Sequence, residues 1–416
     1  MRLGDNPMII YLIFGGQLYG PGGCAKYIRE LINFLTNCGY KVKIIGRLGR
    51  VFSNDAKVKL ADKTKIEHRR VFVYYLVSHF PNPLTVFLGI IRVMKEFKHD
   101  RDFLKVVHAH DLSSSLLIAF LMWRFFKVPY VIQIHGFPIK EWKIKLLRAN
   151  PFLGKLVWLL TKTLHMISLK LIMNSCALVL VNNIEVRSFY NSCGIPSHRL
   201  VVVPSAINLR EHEKYLLPRS EARKYLGLTE LNDVSIGYIG GLRPEKNLET
   251  LLNAFSEFIK STDRKARLLI IGDGPLKSKL ERHVKEQGID SYVYFLGNIP
   301  DAYRFLNGID IFVLPSLSEG SPLSLIEAMV AGKAIIASDI SAIREMVKDG
   351  KEALLFDPHN PQQLKNLILK LYKDRELRKK LEENAKRKAK QYDVNIVFSK
   401  MLQIYKMVLR FSSNLN

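Results

Sequence analysis

Thirteen short apolar runs recur along this 416-residue chain, each ending in a glycine or polar turn and followed by a stretch with helical spacing. In the first half they lie at 8–14, 41–46, 71–77, 104–110, 130–135, 177–183 and 199–205; in the second at 234–240, 267–274, 292–298, 309–316, 334–339 and 352–358. Runs such as MIIYLIF and LKVVHAH are apolar at nearly every position, so neither face is built for water. Strands of that kind belong in parallel sheets covered by helices on both sides. The chain is too long for one ordinary core. Two doubly wound, Rossmann-like α/β domains are therefore expected, divided near residue 206, where INLREHEKYLLPRS turns polar. This gives a first domain over 1–205, a second over 206–394, and a last segment, 395–416. Helical spacing of Val397, Met401, Ile404, Tyr405 and Val408 leaves that segment free to pack anywhere, including back across the first domain.

Cys24, Cys38, Cys176 and Cys193 are widely spaced and form no CxxC pair, which suits a reduced compartment better than a disulfide or zinc framework. The opening MRLGDNPMIIYLIFGG reads as a first strand, without the regions of a secretory signal. The one charge-free stretch of bilayer length, 71–91, is cut by SHFPNP, so no transmembrane helix is expected and a cytoplasmic location is. Net charge is +25, and most of the excess falls in the first 204 residues, with 29 Lys and Arg against 11 Asp and Glu. Such a surface calls for an anionic partner. Between 139 and 170 seven cations oppose Glu141 alone, interleaved with Trp142, Phe152 and Trp158, as on a helix lying against an anionic membrane. A core helix with one wet edge is the competing reading. No nucleic-acid-binding module accompanies the charge.

Ligands of parallel α/β sheets bind beyond the carboxyl ends of strands. After the first strand, Gly22 and Gly23 open a helix whose amides suit a phosphate, or serve the turn alone; neither GxGxxG nor GxxxxGK[ST] is present. Arg243 and Lys246 occupy the turn of GGLRPEKN and either grip a diphosphate or are solvated. His135 ends a strand before Gly136, and His110 with Asp111 ends another; a structural role suits lone histidines. Asp100-Arg101-Asp102 precedes a strand and is discounted as a metal site. In EGSPLSLIEAM, Ser321 and Pro322 are the expected N-cap and first residue of a helix, which places Glu327 inside an apolar element in need of a partner.

Together these motifs resemble the retaining family 4 glycosyltransferases of the GT-B fold, two Rossmann-like domains facing across a cleft. EGSPLSLIEAM resembles the family's E-x7-E signature, with Glu319 and Glu327 at its ends; GGLRPEKN, VVHAHD, QIHG and IIGDGP resemble its other fingerprints, and the likeness spans about residues 15–360. The resemblance implies an acceptor-binding first domain and a second domain that binds a nucleotide diphosphate-sugar. Arg243 and Lys246 would hold the diphosphate, with Gly22 and Gly23 closing from the first domain. Glu327 would accept ribose hydroxyls, while Glu319 and the amides of Gly320, Ser321, Pro322 and Leu323 would hold the transferred sugar beside His135; proline has no N–H, so Pro322 can contribute only shape.

It further implies retention of configuration without a protein nucleophile or a metal, and a hinge near 204–215. The acceptor is expected to be a glycan or a lipid-linked sugar at the cytosolic face of the membrane. A soluble phosphorylated acceptor, or an idle binding protein of the same fold, is the alternative; in the latter, retention of Glu319, Glu327, Arg243, Lys246 and His135 would have no reason. Departures fall at Ser205-Ala206-Ile207-Asn208, in place of Asn-Gly-Val-Asp, at Ser341-Ala342-Ile343 before Glu345, and at Ser321. They bear on donor sugar and acceptor more than on reaction type.

Overall fold

The computed structural model describes residues 9–17, 23–47, 71–75, 105–110, 114–136, 169, 175, 178–228, 233–263 and 265–413. Two parallel sheets organise them. The first consists of β1 (Ile9–Gln17), β2 (Lys41–Arg47), β3 (Val71–Tyr75), β4 (Lys105–Ala109), β5 (Tyr130–Ile134), β6 (Leu178–Val181) and β7 (Leu200–Val202). The second consists of β8 (Val234–Ile239), β9 (Ala266–Ile271), β10 (Val293–Gly297), β11 (Ile311–Leu314), β12 (Ala334–Ser338) and β13 (Leu354–Phe356). Their orders, β3-β2-β1-β4-β5-β6-β7 and β10-β9-β8-β11-β12-β13, both reverse direction beside the first strand of the domain. That is the doubly wound arrangement, in which the crevice at the reversal is where ligands bind.

The continuous apolar runs do what their pattern requires. Along β1, Ile10 and Leu12 enter one core while Ile9, Tyr11 and Ile13 enter the core on the other face, and all five are buried. A strand with one wet face could not carry that sequence. The second domain has a single large core around Ile236, Leu269, Phe312 and Ile336. From β4 onward the strands end one to three residues earlier than the apolar runs do, because the chain turns away into loops, as at Gly136 with φ +81°, whereas β1 and β2 continue past the ends of theirs.

The terminal helix, Val394–Ser413, belongs to the first domain's core. Val397, Phe398, Met401, Tyr405 and Val408 are buried together with Ile10, Tyr27, Ile28 and Leu31. The chain thus crosses between domains twice, and the crossings are tied side by side: Ile207 bridges Asp393, with Ile207 N donating to Tyr392 O and Val394 N to Ile207 O. Among the described residues no helix is long and apolar enough to cross a membrane.

One local expectation is corrected. The helix following Glu319 runs Leu323–Val330, with Pro322 at its N-cap and no side-chain cap. Ser321 is not the cap because its hydroxyl is used elsewhere, accepting a hydrogen bond from Ser205 N at 2.9 Å.

Candidate functional site at the domain seam

The 319–327 stretch leaves the end of β11 and runs along the seam between the domains. Glu319 is almost fully buried and accepts hydrogen bonds from Lys246 Nζ and Ser316 Oγ, both at 2.7 Å. Lys246 comes from the short turn Pro244–Lys246 after β8, fixed at its end by Asn247, which adopts a left-handed φ of 54° and donates to Pro358 O. The glycines of GGLR and IIGDGP hold this turn against its neighbour. A Cβ on Gly272 would stand 1.9 Å from Gly240 O. Only backbone fits there. Arg243 lies exposed in the same turn, its backbone bonded to Gly241 O and Lys246 N and its guanidinium without a hydrogen-bond or ion-pair partner among the described residues.

Gly320 meets the first domain. A Cβ on it would lie 2.6 Å from Gly136 Cα, so the residue after His135 and the residue after Glu319 touch backbone to backbone. Asn183 ties this contact down: its Oδ1 caps the Ile184–Ser192 helix through Val186 N, and its Nδ2 donates to Gly320 O, each at 2.8 Å. Ser205 Oγ donates to Ser321 O at 2.7 Å, beside the bond already described. Glu345 adds a second cap on the same helix, both carboxylate oxygens accepting from Ile184 N at 2.9 and 3.0 Å. A Cβ on Gly23 would stand 3.5 Å from Leu323 Cδ1, which brings the first helix, Gly23–Asn37, onto the signature stretch as well.

Glu327 has the partner its burial demands, supplied across the seam. Lys26 Nζ donates to its Oε1 at 2.5 Å, and His212 Nε2 stands 3.9 Å from the same oxygen, too far for a hydrogen bond. Burial works to raise the Glu327 pKa, but Lys26 and then His212 outweigh it and hold the carboxyl below its ordinary value. Lys26 also sits 4.4 Å above the Tyr303 ring, against which His212 packs at a tilt.

His135 is half-buried and joins a row of imidazoles. His110 Nδ1 is 3.0 Å from His135 Nε2, the His108 ring packs tilted against His110, and His108 Nδ1 meets Tyr405 OH of the terminal helix at 2.7 Å. Burial pushes the His108 pKa down to about 3, helped by His135, and holds His110 well below its ordinary value. Both are therefore neutral at pH 7.

Of the expected site residues, the structure joins Glu319 with Lys246, Gly320 with the neighbour of His135, Ser321 with Ser205, Leu323 with Gly23, and Glu327 with Lys26. Pro322 supplies the helix start. Gly22, Asp111, the Asp100–Asp102 stretch and residues 139–170, except the core residue Leu169, lie outside the described residues. The sequence gives no role to Lys26, His212 or Asn183, and marks Ser205 only as a departure from the family's pattern. Lys26 left one signal in the sequence: a cation in the opening turns of a helix opposes the helix dipole unless a carboxylate elsewhere compensates. Among the described residues no group of three or more His, Cys, Asp or Glu side chains is placed to hold a metal ion.

Residues 21–211 match the family model described as Glycosyltransferase Family 4, and residues 226–388 the one described as Glycosyl transferases group 1. An uncharacterised glycosyltransferase of Methanocaldococcus jannaschii is 31% identical over 225 residues, covering 52% of this chain and 62% of the relative. The N,N'-diacetylbacillosaminyl-diphospho-undecaprenol alpha-1,3-N-acetylgalactosaminyltransferase of Campylobacter jejuni is 38% identical over 118 residues, 28% of this chain and 31% of the relative. The chain thus spans less than two thirds of either. The Anabaena HepE structure in complex with UDP superposes with a TM-score of 0.73 at 18% identity, covering 96% of this chain and all of that one. That likeness establishes the GT-B fold.

Proposed function

We propose, because the chain belongs to the family 4 glycosyltransferases of the GT-B fold, that it moves a sugar from a nucleotide diphosphate-sugar to a glycan or lipid-linked acceptor, with retention of configuration and without a metal. One observation carries the reading. Lys246 and Glu319 are bonded to each other at the seam where Gly320 meets Gly136, so a cation for a departing diphosphate and a carboxylate for a sugar lie together beside His135.

In this reading the donor's diphosphate draws Lys246 from Glu319 and also engages Arg243, while Glu319 turns to the sugar hydroxyls. The anomeric carbon–oxygen bond to the diphosphate breaks, the acceptor oxygen bonds the same face of that carbon, and the acceptor's proton passes to the departing phosphate oxygen. No side chain need act as nucleophile. Rate comes from positioning and from cations facing the charge that develops on the leaving group. Closure about the paired crossings at Ile207 and Asp393 excludes water. The UDP of the Anabaena structure and the lipid-diphosphate acceptor in the name of the Campylobacter relative support these substrate classes.

The experiment is transfer from UDP-, GDP- and ADP-sugars to a lipid-linked glycan in EDTA, with the anomeric configuration of the product read by NMR. Inverted product, or turnover only with added metal, would overturn the mechanism. Action at the membrane rests on the basic first half, and binding to anionic vesicles at low salt tests it. Failure to bind would favour a soluble phosphorylated acceptor.

A further inference from the structure

Glu327 is held by the other domain. Lys26 sits in the opening turns of the first-domain helix Gly23–Asn37, where no acidic residue occupies the first turn, and reaches Glu327 in the second-domain helix Leu323–Val330. Its ammonium lies between Glu327 Oε1 and the face of Tyr303. The two oxygens of Glu327 are not equivalent. Oε1 receives Lys26 and faces His212, whereas Oε2 has no hydrogen-bond partner among the described residues.

His212 cannot replace Lys26. Its Nδ1 is 2.8 Å from the carbonyl oxygen of Asn208, which can only accept, so Nδ1 carries the proton. Its Nε2, buried without a hydrogen-bond partner, stands 3.9 Å from Oε1, beyond hydrogen-bond reach. The sole donor to Oε1 among the described residues is thus Lys26. Without it, Glu327 would be a buried carboxylate lacking its compensating charge, and such a group takes up a proton and ceases to be a two-oxygen acceptor.

We propose that Lys26 is a positioning residue that makes Glu327 a reader of the donor's ribose: it fixes Oε1, leaves Oε2 open to the vicinal hydroxyls, and so makes ribose recognition depend on contact between the domains. This rests on Glu327 being the ribose acceptor, as in the function proposed above. Glu30, one turn further along the first helix, Arg29 and Glu211 are charged neighbours of the pair, and Asp301 and Arg304 act on Tyr303 beside it; burial raises the Glu30 pKa.

The test is calorimetric binding of UDP and 2′,3′-dideoxy-UDP, with the GDP and ADP pairs in case another base is preferred, to the wild type, Lys26→Met, Lys26→Arg and Glu327→Gln. A hydrogen bond to a charged group corresponds to roughly ten- to hundred-fold in affinity, which is the preference for the ribose form expected of the wild type. Lys26→Met and Glu327→Gln should reduce that preference below about three-fold, and Lys26→Arg should restore it. A role confined to holding the domains together would weaken both ligands alike and leave the ratio intact. Should Lys26→Met not fold, Lys26→Gln carries the same comparison. A wild type that discriminates while Lys26→Met discriminates equally overturns the role of Lys26 and leaves that of Glu327 standing. A wild type that binds the ribose form no better overturns both.

Discussion

Replacing Gly320 by alanine should separate the domains by about one ångström. The added Cβ would stand 2.6 Å from Gly136 Cα, 2.7 Å from Gly136 N and 3.2 Å from Asn182 Nδ2. Carbon atoms in contact prefer about 3.5–4.0 Å, and the obstacle is backbone with no side chain to swing aside. Gly136 is itself held at φ +81° just beyond β5, so the strain is relieved by moving the domains apart. Asn183 Nδ2 to Gly320 O, now 2.8 Å, and the two Ser205–Ser321 bonds, now 2.9 and 2.7 Å, would be stretched beyond hydrogen-bond range. Three lost hydrogen bonds weaken closure by roughly 2–4 kcal/mol. A misplacement of about 1 Å at the reacting centre lowers catalysis by about a hundred-fold. Gly320 lies on the edge of its own domain and not in its core, so the melting temperature should change little. Steady-state kinetics with a nucleotide-sugar donor, alongside a melting curve, checks both expectations. Activity within three-fold of wild type would refute the reasoning, since the seam would then tolerate a side chain where two backbones touch.

Phe398→Ala should destabilise the first domain although it lies near the end of the chain. Its ring is fully buried, edge-on to Tyr27 at 5.3 Å, and truncation of a buried phenylalanine costs about 3–5 kcal/mol. A loss below 1 kcal/mol in denaturant unfolding would mean that the terminal helix is not part of that core. Stability should also fall with acid in a predictable window. His108, neutral in its buried site, has a folded pKa of about 3 against 6.5 when unfolded, so the unfolded state binds more protons as pH drops below 6.5. Its contribution is intact above pH 6.5, and about 3 kcal/mol is lost by pH 4.5. His108→Gln should flatten that slope in pH-dependent unfolding, and an unchanged slope would contradict it.

What could be read from the sequence was what apolar burial decides. Strands covered on both faces announce themselves residue by residue, as Ile9 to Ile13 do, and strand ends place Lys246, His135 and Glu319 near the crevice. Partner choice across the seam was not legible, because it depends on how two separately folded units meet. Ser321 has the sequence signature of a cap, yet its oxygen serves Ser205, over a hundred positions away. Glu327 visibly needed a partner, but its apolar surroundings could not say that Lys26 would come from the other domain. The terminal helix showed its apolar stripe and not its destination, which the bridge between Ile207 and Asp393 decides by returning the chain beside its own first crossing.

The first measurement to make is thermal stabilisation by UDP, GDP and ADP in EDTA, on the wild type and on the double variant Arg243→Ala, Lys246→Ala. A ligand at about a hundred times its Kd stabilises the native state by about 2.7 kcal/mol. An upward shift of several degrees with one nucleoside diphosphate, abolished in the double variant, is expected if the turn after β8 is the diphosphate clamp. A shift that survives loss of both cations, or the absence of a shift with all three, would contradict it.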